Sequence, residues 1–319
     1  MDLITDPEEL LTQLNLDLNF LPAAKAAARV FPLRVPRGFV ARMERGNVHD
    51  PLLRQVLPLG AELEPVAGYS KDALLESNAN PIPGLLHKYS GRVLVTLTSA
   101  CAVHCRYCFR RFFPYDDNNP GRAGWEKIIG YLQSDQSINE VILSGGDPLS
   151  VSDSLLSAFT DRLSAVPHVK RLRIHTRLPV MLPERITEGF MSWAKALPMP
   201  LVMVLHVNHA REINADVVSM LRQLRAAGVM LLNQSVILRG VNDDAHILAE
   251  LSEALFAAGV LPYYLHTLDK VEGAAHFDVS LDTVCTIHAA LNKMLPGFLV
   301  PRLVCETPGE LSKTLISPI

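Results

Sequence analysis

The stretch Val93-Leu94-Val95-Thr96-Leu97-Thr98-Ser99-Ala100-Cys101-Ala102-Val103-His104-Cys105-Arg106-Tyr107-Cys108 runs from an apolar, β-branched segment into a loop holding three cysteines. The segment reads as a strand. The cysteines follow a C-x3-C-x2-C spacing. Three thiolates this close can hold three irons of a [4Fe–4S] cube, because such clusters are ordinarily ligated by cysteine. The next cysteines are Cys285 and Cys305, so the fourth iron would stay open to a small molecule. The competing reading is a zinc knot. Structural zinc takes four ligands, often as two C-x2-C pairs. This loop has one such pair and one offset cysteine, and His104 as a fourth ligand would be cramped against Cys105.

Working outward, similar runs begin near Val141, Arg171, Leu201, Met230 and Leu261, at steps of about thirty residues. Helical patterns lie between them: Leu155 to Leu163, Val217 to Leu224, and Ile247 to Phe256 repeat apolar residues with the 3.6-residue period. Gly228 and Gly259 stand where helix C-caps belong. Strands alternating with helices specify a parallel α/β sheet. Six βα units fit a partial (β/α)6 TIM-like barrel; an open doubly wound sheet is the alternative. In either, working residues gather after the C-terminal ends of strands. The polar punctuation falls there: the cysteine loop, Ser144-Gly145-Gly146-Asp147-Pro148, His206-Val207-Asn208-His209, and His266 to Lys270, with Gln234 inside an otherwise apolar strand. The expected division is an N-terminal helical extension over 1–90 (with helices near Pro7–Leu14, Ala23–Ala28 and Arg37–Arg45), a barrel over 91–295 and a C-terminal segment over 296–319.

The chain has 319 residues, 49% hydrophobic and 20% charged, with a net charge of −3. This balance suits a buried core and gives no sign of nucleic acid or an anionic membrane as partner. No run approaches the ~20 apolar residues a membrane span needs, and the acidic start lacks the pattern of a signal peptide. Five cysteines, three of them in one loop, do not make a disulfide framework. A reducing cytoplasm is the expected location.

Each motif has a plain reading as well. Gly145-Gly146-Asp147 permits close backbone approach to a ligand, or is a β–α turn capped by Asp147. Gln234 is a ligand contact or a satisfied core amide, and His206 is similar. Lys313 on its own is an ordinary surface lysine.

The cysteine spacing resembles the signature of radical S-adenosylmethionine enzymes, and the ordered set of motifs resembles the lysine 2,3-aminomutase family. That set comprises Pro83 to Tyr89, Cys101 to Arg111, Ser144 to Leu149, Ile174-His175-Thr176-Arg177-Leu178-Pro179-Val180, Asn233 to Asp243, Pro262-Tyr263-Tyr264 and Gly273 to Phe277. The resemblance implies a [4Fe–4S] cluster on Cys101, Cys105 and Cys108, S-adenosyl-L-methionine and pyridoxal 5′-phosphate. It implies S-adenosylmethionine contacts from Gly145, Gly146, Asp147, His206 and Gln234. Lys313 becomes the covalent anchor of pyridoxal, and Lys88, Tyr89 and Arg92 its phosphate contacts. Arg110 is expected to fork the substrate carboxylate, while Asp269 and Glu306 recognise the ε-ammonium of free lysine. The implied reaction moves the lysine amine from C2 to C3.

Three departures accompany the resemblance. The family's glycine-rich run is reduced to Pro308-Gly309-Glu310-Leu311-Ser312, the second acidic contact is Glu306 rather than aspartate, and His266 replaces an aromatic residue. The short form is similar to the bacterial branch that makes (R)-β-lysine for a ligase acting on translation elongation factor P. An electron donor such as flavodoxin or ferredoxin is then expected. The alternatives are an aminomutase for another amino acid, a radical S-adenosylmethionine enzyme without pyridoxal, and an electron-transfer or zinc protein.

Overall fold

All six β-branched runs form strands in the computed structural model, which describes residues 2–317. The strands are named in chain order. A small ribbon pairs β1 (Leu3–Ile4) with β2 (Val35–Pro36). The main sheet holds β3 (Leu85–Tyr89), β4 (Arg92–Thr96), β5 (Glu140–Ser144), β6 (Arg171–Thr176), β7 (Leu201–His206), β8 (Met230–Val236), β9 (Leu261–His266), β10 (Arg302–Cys305) and β11 (Thr314–Leu315). Strands β4 to β10 are parallel and lie side by side in chain order, with β3 and β11 antiparallel at the two edges.

That order decides between the two expected architectures. A doubly wound sheet reverses its strand order at a switch point. Here every crossover steps the same way, and crossovers of one hand place all their helices on one face. The result is a partial barrel of the expected kind, with β10 as an additional parallel strand. The sheet spans all three expected segments, because β3 precedes position 90 and β10 and β11 follow position 295.

The strand sequences divide by parity. Val93 and Val95, Val141 and Leu143, Leu172 and Ile174, and Met203 and Leu205 are buried in the main core beneath the helices. Their neighbours along each strand (Arg92, Ser144, Arg173, His175, His206, Gln234, Tyr264 and His266) are only partly buried and share the other face through the strand register. Period-two alternation therefore assigns the apolar set to the helices and the polar set to a lumen. The helices begin where short polar side chains cap them: Ser152, Thr187, Asn214, Asp244 and Ser280 each accept a backbone N–H of the first turn. Gly228 and Gly259 both take φ +83°, the left-handed conformation that ends a helix.

Of the N-terminal helices, Pro7–Gln13 and Leu21–Val30 match the sequence pattern, while the third is only Arg37–Val40. Arg42 Nη1 fastens this extension to the barrel by donating to Val180 O (2.8 Å) and Glu212 O (2.9 Å). Among the described residues no helix is long and apolar enough to cross a membrane.

Candidate active site

The cysteine loop follows β4 and is clamped by the N-terminal extension. Arg106 is fully buried; its Nε and Nη2 fork Glu62 at 2.8 and 2.5 Å, and its Nη1 donates to Phe31 O at 2.7 Å. Arg111 Nη2 adds a second cation on Glu62 at 2.8 Å. His104 stacks on Phe31, and its Nδ1 lies 2.8 Å from Pro32 O. This occupies it with the clamp rather than with the thiols. Cys101, Cys105 and Cys108 are free and partly buried. Burial pushes the Cys101 thiol up, and the nearby Asp147, Cys108 and Cys105 add to the rise. Burial and Cys105 likewise push Cys108 up to about 11. Three sulfurs that feel one another in a recessed loop fit a cube, which takes one thiolate per iron. Among the described residues no three His, Cys, Asp or Glu groups converge on a single-ion site.

The glycines after β5 serve this loop. A Cβ on Gly146 would lie 2.6–2.7 Å from Ser99 C, Ala100 O and Thr98 O, and one on Gly145 would lie 2.5 Å from Thr96 Cγ2. Gly146 N and Asp147 N donate to Thr98 O and Ala100 O at 3.1 and 2.9 Å. The Asp147 carboxylate is taken up within the protein. Oδ1 accepts from Leu149 N and Thr176 Oγ1, and Oδ2 from Arg177 N and Leu178 N, at 2.7–3.0 Å. Four donors fill a carboxylate, so Asp147 braces the turn between β5, the cysteine loop and β6.

The lumen gathers the remaining candidates. Burial lowers His206 to about 3, with Arg177 adding to the effect; its ring stacks on Tyr107 and its Nε2 lies 3.2 Å from the Tyr107 hydroxyl. His175 and His266 are both held well below the ordinary histidine range by burial, then by nearby cations that include Lys313. The Nε2 atoms of both are buried without a hydrogen-bond partner, which fits residues that meet a polar ligand beside Lys313. Tyr89 lies under the Arg92 guanidinium, 4.7 Å from ring centre to Cζ.

Glu306, just past β10, links two lysines: Oε2 is 2.6 Å from Lys313 Nζ and Oε1 is 2.8 Å from Lys88 Nζ. Burial would raise its carboxyl, but Lys313 and Lys88 outweigh burial and hold it well below the usual carboxylate range. Asp269 behaves oppositely. Burial and the Glu306 charge push it up to about 7 against the pull of Lys313 and Lys88. One carboxylate is saturated with ammonium groups, and its neighbour is short of them.

Two features lie outside the sequence expectations. Arg110 is buried, but Glu76 occupies its fork, with Nε and Nη2 donating to the two carboxylate oxygens at 2.7 Å each. Glu76 also lies 3.0 Å from Lys88 Nζ. Arg110 keeps Nη1, which reaches Ser144 Oγ at 3.1 Å. Beneath the loop, Arg177 Nη1 contacts Cys105 Sγ (2.8 Å) and Tyr107 Oη (2.6 Å), and Nη2 contacts Gln55 Oε1 (2.7 Å) and Glu212 Oε2 (3.0 Å). Buried polar groups demand such partners, yet nothing in the local sequence of Glu76 or Gln55 marks them.

Comparison with known proteins finds matches in sequence and in structure. A family model described as "4Fe-4S single cluster domain" matches residues 89–175. L-lysine 2,3-aminomutase of Escherichia coli (strain K12) is 49% identical over 98% of this chain and 92% of that protein. The enzyme of the same name from Haemophilus influenzae is 47% identical over 98% and 92%. Among solved structures, a radical SAM methyltransferase from Sphaerobacter thermophilus aligns over 69% of this chain and 68% of that one, with 15% identity and a TM-score of 0.45.

Proposed function

We propose, for a chain that belongs to the lysine 2,3-aminomutase family and is an isomerase of the aminomutase type, that its reaction converts L-α-lysine to (R)-β-lysine. The observation that carries this reading is the pairing of Lys313 with Glu306, near an Asp269 that makes no ion pair of its own among the described residues, on the same strand-end side as the cysteine loop. When bound, the cluster with S-adenosylmethionine supplies one-electron chemistry, and pyridoxal phosphate supplies the carbonyl that carries the migrating nitrogen.

The chain's own residues do the placing. Cys101, Cys105 and Cys108 hold the cluster. Lys313 anchors pyridoxal through Nζ, with Lys88, Tyr89 and Arg92 around its phosphate. Gly145 and Gly146 keep the cluster loop close to β5, and His206 and Gln234 line the wall for S-adenosylmethionine. Arg110 receives the substrate carboxylate on the part of its guanidinium that Glu76 leaves open. Asp269 takes the ε-ammonium. A substrate cation beside it offsets the burial that otherwise drives it towards the protonated form, which favours lysine over an uncharged analogue of the same length. The lumen excludes water from the reacting carbons.

The product is assigned to the cytoplasmic modification of translation elongation factor P through a β-lysine ligase, with flavodoxin or ferredoxin as electron source. The test is anaerobic purification followed by an absorption scan and a lysine assay. A broad brown visible band, an added borohydride-sensitive band and formation of β-lysine are expected. A colourless protein, or one that leaves lysine unchanged with all cofactors present, overturns the reading.

A further inference from the structure

We propose that Arg177 sets the reduction potential of the cluster by directing one guanidinium N–H and its positive charge at the Cys105 sulfur, with Glu212 as the counter-charge that limits the effect. The proposal rests on the assignment of Cys105 as a cluster ligand. Arg177 follows β6 and is 5% exposed; Glu212 is fully buried. The guanidinium is permanently charged, so a cation is fixed within hydrogen-bond distance of the sulfur (2.8 Å).

The way Arg177 spends its donors separates this role from simple neutralisation of Glu212. A guanidinium whose task is to neutralise a carboxylate docks on it as a fork, as Arg106 does on Glu62 and Arg110 on Glu76. Arg177 does not. It meets Glu212 through Nη2 alone, turns Nη1 to Cys105 and Tyr107, and leaves Nε without a partner. Glu212 is meanwhile supplied by Asn208 N (2.9 Å), His209 N (3.1 Å) and Gln55 Nε2 (3.2 Å), all on Oε1. The surrounding groups hold the guanidinium in this splayed orientation. Gln55 Oε1 accepts Nη2, the Tyr107 hydroxyl accepts Nη1, and the Arg177 backbone N–H is tied to Asp147.

One-electron reduction adds a negative charge to the cluster, with the electron taken from the external donor. A donor N–H and a cation at a ligand sulfur stabilise that electron-rich state more than the oxidised one, which raises the potential. The buried Glu212 carboxylate acts in the opposite sense. Neutralising both members removes the nearer cation and the farther anion, so the cation's effect dominates the change. Neutralising Glu212 alone leaves the cation unopposed.

The experiment is a dithionite titration of the anaerobically reconstituted full chain, followed by electron paramagnetic resonance. The proteins are the wild type, the double variant Arg177→Gln/Glu212→Gln, and Glu212→Gln. At a fixed applied potential the double variant should show a reduced-to-oxidised ratio at least about tenfold below wild type, a shift of about 59 mV for one electron. Glu212→Gln should move the ratio upward. Full iron content with both ratios within about threefold of wild type overturns the proposal, as does a variant that cannot assemble iron, which would make Arg177 a scaffold of the loop. A wild type that never acquires a reducible cluster would instead fail the cluster assignment itself.

Discussion

Lys88 Nζ and Glu306 Oε1 stand 2.8 Å apart, although Lys88 lies on one edge strand of the nine-stranded sheet and Glu306 follows the strand next to the opposite edge. The barrel is closed at this point by an ion pair between side chains. Glu306→Gln should therefore lower the unfolding free energy obtained from urea titration by about 1.5–3 kcal/mol, the range for a hydrogen bond to a charged group, while iron content stays at the wild-type level. Because the folded state holds Glu306 below its ordinary range, its contribution is present above that range and fades as pH falls through the folded value. The gap between variant and wild type should narrow in acid, and a gap independent of pH would refute the ion-pair origin.

Asp269→Asn should separate binding from stability. The folded value of about 7 exceeds that of an unfolded aspartate, near ~4. Stability linked to the protonated carboxyl is therefore full below about pH 4 and is lost as pH rises to about 7. Without substrate, the variant should melt above wild type at pH 8, with a smaller advantage at pH 5. Its use of lysine should fall by about thirty-fold or more, the cost of leaving a recessed ammonium short of a partner. An unchanged preference for lysine over norleucine would remove Asp269 from ammonium recognition.

Replacing Cys101, Cys105 or Cys108 with alanine should abolish iron binding and turnover, since two thiolates do not retain a cube. Cys285, on the helix Leu281–Met294, should tolerate alanine with iron content unchanged. Iron analysis of the four proteins is the check.

Lys313→Ala should retain the brown cluster and cleave S-adenosylmethionine slowly and unproductively, yet form no β-lysine. Wild-type turnover without added excess pyridoxal phosphate would show that the lysine does not anchor the cofactor.

Gly146→Ala should impair cluster loading, because its Cβ would meet three backbone atoms of the cysteine loop at 2.6–2.7 Å. Backbone cannot give way as a flexible side chain does, and overpacking costs about 1–3 kcal/mol. Ala100→Gly is the control, since it adds no atom. Equal iron occupancy in Gly146→Ala and wild type would mean that the loop has slack.

The barrel was legible because β-branched runs recur at a steady interval with helical periods between them. Strand order was not legible, and it is what excludes the doubly wound alternative. β10 escaped notice because Arg302-Leu303-Val304-Cys305 is too short to show a period, and it became a strand by pairing with β9. The bracing of β6 by the Asp147 carboxylate was not legible, because it depends on donors some thirty residues ahead, Thr176 to Leu178. Glu76 carries no local signal, since its meaning comes from Arg110 and Lys88 in other elements. The three cysteines stood out as candidates because their spacing lies within eight adjacent residues, and the matching 4Fe-4S family model covers that stretch.

A sheet that stops short of closing keeps two free edges, and a row of unpaired backbone groups is a template for another chain to add a strand. Here β11 has only two residues, and the ladder of β3 is broken by a register shift between Leu86 and Tyr89. Neither edge offers a long regular ladder for edge-to-edge aggregation. The gap between the first and last strands is thus guarded against intermolecular strand addition.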